Sequence, residues 1–170
     1  VSSVSAFEKY QKHSAWVWEH QALTRARQCA GDAAIGQRFE AIREAVLRQE
    51  RDEGALKKDV LAMRTKLQDA HPNRSPLFDL KHDAGGMIDI EFIVQYLVLR
   101  HACHHPQLTA DIGNIALLKL CGELGLIDNG LAVQVSDAYR KFRKLQHQIR
   151  LQGEDRARVA QEKVEAESRS

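Results

Sequence analysis

Apolar side chains recur along most of this chain every three or four positions, the period of a helix with one inward face. Phe7, Tyr10, Trp18, Ala22 and Cys29 set the first stripe. A Ser5–Glu8 capping box is placed to start it and Gly31 to stop it. Asp32 is placed to cap a second helix, with Ile35, Phe39, Ile42 and Val46 as its stripe. Leu56, Val60, Met63 and Leu67 predict a third, which must end before Pro72 and Pro76. Phe92, Tyr96, Leu99 and Cys103, flanked by Ile93 and Leu97, give a broad apolar face and predict a central helix over 88–104. A shorter helix is expected over 114–123, closed by Gly125. A long one follows over 129–152, on Leu131, Val135, Ala138, Phe142, Leu145 and Ile149. No segment reads as a strand. These elements predict an all-α fold, a helical bundle of about five to seven helices.

Residues 1–152 read as a single helical domain. Beyond Gln152, residues 153–170 form a polar tail with two valines, expected to fray as a helix or stay unstructured. The chain lacks an initiating Met and enters a helix almost at once, which suggests a fragment of a longer protein. Residues 71–87 are the one long irregular segment, and loops of that length inside helical domains are often functional.

Composition narrows the class. With 170 residues, 44% apolar and 28% charged, the chain can bury a sizeable core and reads as soluble and globular. A formal net charge of +2 gives no case for a nucleic-acid partner or an anionic membrane. No apolar run approaches the ~18 residues of a membrane span. The three cysteines, Cys29, Cys103 and Cys121, form no CxxC pair, which points to a reduced, cytoplasmic setting.

Candidate chemistry concentrates in "LKHDAGGMIDIEF", residues 80–92. One reading is structural: Gly85 and Gly86 allow a tight turn, and Asp89 favours the positive end of the next helix. The other is functional: a glycine loop at a helix start holds an anion, with Lys81 adding a point charge. Asp89 and Glu91 are two residues apart, face different ways on a helix, and so do not chelate one metal together. A second constellation is "WVWEHQALTRAR", residues 16–27. There Trp18 and Ala22 are expected to face inward, with Arg25 on that face and Arg27 on its neighbour. Either the tryptophans pack the core, or they anchor a helix that aims Arg25 or Arg27 at phosphate. His101 and His105 stand four apart but lack a second ligand pair for zinc. There is no P-loop, no GxGxxG and no nucleophile elbow, so the chain holds no complete active site of its own.

Two long signatures carry a resemblance. "SAFEKYQKHSAWVWEHQALTRAR" resembles the AWxWExQALxRAR segment of the bifunctional glutamine synthetase adenylyltransferase/adenylyl-removing enzymes. "DLKHDAGGMIDIEFIVQYLVL" resembles their GGMxDIEF signature, in the form of the C-terminal, adenylylating half, and "RKFRKLQHQIRLQ" is similar to their late helix. The related uridylyltransferase of the PII protein carries a similar helical segment. The resemblance implies a helical domain that follows a polymerase-β-type nucleotidyltransferase domain, supporting transfer of AMP from ATP to a tyrosine of glutamine synthetase. The Mg²⁺ and ATP it implies belong to that upstream domain, whose metal-binding aspartates lie before Val1, so the fragment alone is expected to be inactive. It implies as partners the upstream domain, glutamine synthetase and the PII signalling protein. Its candidate residues for phosphate or domain contact are Arg25, Arg27, Lys81, Gly85, Gly86, Asp89 and Glu91. A regulatory module that docks PII or glutamine synthetase is the competing expectation.

Overall fold

In the computed structural model, which describes residues 2–164, Ser3 rather than Ser5 starts the first helix, its hydroxyl accepting the Ala6 N–H at 3.1 Å. Seven α-helices follow among the described residues: α1 Val4–His13, α2 Val17–Leu23, α3 Ala33–Leu47, α4 Glu53–Ala70, α5 Met87–His101, α6 Asn114–Glu123 and α7 Asn129–Leu151. The fold is all-α, as the periodicity predicts. One short antiparallel pair accompanies the helices. In it β1, Phe78–Asp79, lies against β2, Arg158–Val159, with Phe78 opposite Val159.

The chain divides into two compact units. The first runs to Leu61 and includes Gln95–Ile112; the second holds Ala62–Val94 and the chain from Gly113 onward. The borders fall inside α4 and α5.

In the first unit, α1 and α2 pack on α3, with Phe7 and Phe39 ring centroids 5.7 Å apart. The single helix expected from Ser5 to Cys29 is broken, because Glu19 makes a corner. Its carboxylate accepts from the Tyr10 hydroxyl at 2.9 and 3.0 Å and from the Trp16 N–H at 2.8 Å, so α2 restarts in a new phase. Helix α2 then stops at Leu23, whose carbonyl accepts from buried Arg43 at 3.3 Å. The same guanidinium reaches the Thr109 carbonyl at 2.6 Å. Asp32 caps α3 as expected, accepting the Ile35 N–H at 3.0 Å.

His20 is buried in this unit. Its Nε2 lies 2.9 Å from the Gln11 carbonyl, and its Nδ1 lies 3.3 Å from Arg51 Nη2. A carbonyl must be met by an N–H and a guanidinium by a lone pair, so the ring is neutral with its proton on Nε2. Burial lowers the His20 pKa from 6.5, and the Arg51 charge lowers it further. Burial likewise brings Arg51 down to about 10.

In the second unit, α6 packs on α7. Fully buried Phe142 lies in the core with Phe78, ring centroids 6.2 Å apart, and Leu80, Met87 and Leu118 are buried there too. The frayed tail expected after Gly153 does not hold over the described residues. Ala157, Val159 and Val164 are buried, and the Ala157 carbonyl accepts the Leu80 N–H at 3.0 Å. The correction has a simple cause: a two-residue strand leaves no period to read, and three small apolar side chains suffice to seat it. The remainder of that expectation, 165–170, lies outside the described residues.

Two outcomes follow for stability. Ending the chain at Gln152 removes three buried side chains, the β2 pairing with β1 and the Ala157 carbonyl that Leu80 uses. Urea denaturation is expected to show a loss on the order of 3 kcal/mol; an unchanged midpoint would mean the tail does not pack. For His20, the folded pKa lies below the unfolded value of 6.5. The unfolded chain therefore binds the proton first, and the stability held above pH 6.5 is lost as pH falls through that value toward the folded pKa. His20→Gln is expected to flatten the fall in melting temperature between pH 7.5 and 5.5, and an unaltered slope would contradict the assignment.

Candidate functional site

The glycine segment is a turn wired from inside. Asp79 is buried, and its Oδ1 accepts the Lys81 and His82 N–H groups at 3.0 and 3.1 Å. Its Oδ2 lies 3.8 Å from Arg158 Nε on β2. Asp83 Oδ2 accepts the Asp79 N–H at 2.8 Å and the Asn73 amide at 2.7 Å. Chain reversal is then closed by Met87 N–H to the Leu80 carbonyl and Gly86 N–H to the Asp83 carbonyl, both 2.9 Å. Each short polar side chain thus satisfies backbone groups that the turn would otherwise leave bare.

The two glycines serve different needs. Gly85 has φ +79°, where an L side chain is strained. Gly86 has no positive φ but is crowded: a Cβ there would lie 2.9 Å from the Asp83 carbonyl oxygen and 3.0 Å from that of Leu80.

Asp89, in the first turn of α5, reaches back over the loop. Its Oδ2 accepts the Gly85 N–H at 2.6 Å, and its Oδ1 pairs closely with Arg64 Nε on α4. Arg64 is itself buried, and its Nη2 donates to the His82 carbonyl at 2.9 Å. One guanidinium therefore ties α4, the loop and the start of α5. Glu91 faces another way, as its spacing requires, and accepts the Tyr139 hydroxyl from α7 at 2.8 Å. That hydroxyl in turn accepts from Asn114 at the start of α6, 3.0 Å away. Burial, then the Glu91 carboxylate, raises the Tyr139 pKa.

The other constellation belongs to the first unit. The face expected to point inward points out: Trp16 is 69% exposed, Trp18 49%, and Ala22 and Arg25 are exposed as well. The buried positions of α2 are His20, Gln21 and Leu23, with Gln21 donating to Gln95 at 2.9 Å. The break at 14–16 resets the helix phase, which reverses the face. Arg27 is exposed and lies 4.0 Å from Asp111.

Comparison with known proteins places this arrangement. Residues 1–42 match the Glutamate-ammonia ligase adenylyltransferase family, and residues 55–163 match the GlnD PII-uridylyltransferase family. A bifunctional glutamine synthetase adenylyltransferase/adenylyl-removing enzyme of Aromatoleum aromaticum is 61% identical over 153 residues, 90% of this chain and 16% of that protein. The enzyme of the same name from Bordetella bronchiseptica is 57% identical over 165 residues, 97% of this chain and 18% of the relative. The Nitrosomonas eutropha enzyme is 59% identical over 153 residues, 90% of this chain and 16% of its own length.

The chain belongs to the bifunctional glutamine synthetase adenylyltransferase/adenylyl-removing enzyme family. It spans less than a fifth of the length of those family members.

Within this family member, the loop candidates Lys81, Gly85, Gly86, Asp89 and Glu91 lie together in the second unit, whereas Arg25 and Arg27 lie in the first. Lys81 is exposed; Asp89 and Glu91 are held by internal partners. The loop carboxylates do not fit a magnesium ion. Asp79, Asp83 and Asp89 already accept from backbone N–H groups or pair with arginine, and no cluster of three His, Cys, Asp or Glu among the described residues is placed to hold a metal.

Arg64 is the residue the periodicity passes over. Its signal was legible: it falls two turns after Leu56 and one after Val60, both buried, so a cation occupies a buried helical stripe. Asp83 likewise needs the turn geometry before its role shows.

Alanine at the two glycines separates their roles. Gly85→Ala is expected to cost about 1–2 kcal/mol from backbone strain. Gly86→Ala is expected to cost about 3 kcal/mol or more, since backbone oxygens cannot yield. Denaturant titration of both reads the order directly; a Gly86→Ala chain as stable as the parent would refute the close approach.

Proposed function

We propose that this chain is the helical domain that follows the C-terminal, adenylylating nucleotidyltransferase domain of a glutamine synthetase adenylyltransferase. In that role it supports transfer of AMP from ATP to a tyrosine of glutamine synthetase. The observation that carries the reading is the exposed tryptophan face of α2. Trp16 caps α2 and Trp18 stands in its first turn, both exposed, in a chain that aligns with under a fifth of each relative. Large exposed aromatics of this kind mark a surface that another surface covers. The occupant in this reading is the nucleotidyltransferase domain of the same protein, which supplies the metal-binding aspartates and holds ATP with Mg²⁺. Arg25, Arg27 and Lys81, all exposed, are the cations that offset phosphate charge. The braced glycine loop contributes position rather than ligands, because Asp89 and Glu91 are already engaged. The family name also carries adenylyl removal, and the GGMxDIEF form favours the adenylylating half. Docking of PII or glutamine synthetase on the same face is an outcome of the test.

The test extends the chain to include the upstream domain and measures AMP transfer to glutamine synthetase. Asp89→Asn is expected to lower the rate about a hundredfold, or ~2.7 kcal/mol of transition-state stabilisation. Trp16→Ser with Trp18→Ser is expected to lower it tenfold or more while leaving the melting temperature of the 170-residue chain unchanged. Full activity in both variants would overturn the reading. Loss of PII or glutamine synthetase binding at full intrinsic turnover would replace it with a docking module.

A further inference from the structure

A cleft of about 400 Å³ in the second unit lies between the start of the glycine loop and the segment that follows α7. Lys81, Arg150 and Arg156 line it. Against these cations stand two carboxylates, Asp79 and Asp155. Asp79 is spent: its side chain is 4% exposed, and it sits beside Arg158 and accepts two backbone N–H groups. The cleft therefore carries an excess of positive charge over Asp155 alone, although the whole chain is close to neutral at +2.

Part of this lining is held in advance. Arg150 donates to the Asp155 carbonyl, which fixes the guanidinium at the end of α7. The imidazoles of His71 and His82 stack with centroids 4.5 Å apart and planes 6° from parallel. Each is anchored through Nδ1, His71 to the Leu67 carbonyl at 3.0 Å and His82 to Asp79 at 3.3 Å. That arrangement leaves Nε2 of each ring as its second hydrogen-bonding site. Burial, and the charges of His71 and Lys81, lower the His82 pKa, while Asp79 raises it. Three exposed cations and two stacked imidazoles border one partly enclosed volume, a setting in which charge-assisted hydrogen bonds to an anion are favourable.

We propose that this cleft binds a phosphate group, through Lys81 and Arg156 as charge donors, Arg150 as a fixed wall and the His71–His82 stack as a floor. The inference goes beyond the adenylyltransferase reading and stands without it. Phosphate binding is read on this chain alone and AMP transfer on the longer enzyme, so either can fail while the other holds.

The test titrates the 170-residue chain with inorganic phosphate at constant ionic strength, following the imidazole resonances of His71 and His82 by NMR. Saturable shifts are expected, with a dissociation constant of about 1 mM or below. Lys81→Gln with Arg156→Gln, both at exposed positions, is expected to weaken binding about tenfold, whereas Lys57→Gln, on exposed α4 surface, leaves it unchanged. Lys81→Arg is expected to retain binding. A nucleoside monophosphate titrated in parallel distinguishes the source: tighter binding assigns a phosphorylated small molecule, and equal binding assigns the free anion. Shifts that fail to saturate, that chloride reproduces, or that persist unchanged in the double variant would overturn the proposal.

Discussion

The ion pair between Arg64 and Asp89 governs how the signature segment is built. Arg64 is buried on α4, so its charge must be met locally or the helix could not pack as it does. Asp89 meets it at Nε, and Nη2 donates to the His82 carbonyl. Because the same carboxylate also accepts the Gly85 N–H, the pair fixes the loop and the first turn of α5 together. The glycines then follow as consequences. One must adopt positive φ to bring its N–H to Asp89, and the other must lack a Cβ where two carbonyl oxygens converge.

The acidic residues of the glycine segment all have partners inside the second unit. Asp79, Asp83, Asp89 and Glu91 look like a ligand cluster in one dimension. In three dimensions each satisfies a backbone N–H, an arginine or a tyrosine hydroxyl. The exposed side chains of the two signatures include Lys81, Trp16 and Trp18. The second unit braces a loop and the first presents an aromatic surface, so the two long signatures divide into different physical tasks.

Helices with clean stripes were legible from the sequence. Asp32 caps α3 and the positive-φ Gly125 follows the end of α6, both through local rules of capping and period. The misreadings share one cause, a distant side chain overriding a local pattern. Glu19 breaks the first helix through Tyr10, and the new phase turns Trp18 outward. Leu80 and Phe78 recruit a tail whose own sequence carries no strand period. Arg64 was missed because a charged residue on an apolar stripe is ordinarily discounted, although that exception is what marks a buried pair. Of the candidate residues, the glycines could be interpreted from sequence, while the engagement of Asp89 and Glu91 needed partners 25 and 48 positions away.

The most direct measurement is a double-mutant cycle on the 170-residue chain, combining Arg64→Met and Asp89→Asn and reading stability by denaturant. Because Asp89 keeps some solvent contact, a coupling energy of about 1–2 kcal/mol is expected, with the double variant more stable than additivity allows. Additive losses would show that Arg64 and Asp89 act independently, and would remove the brace from which the loop geometry is derived.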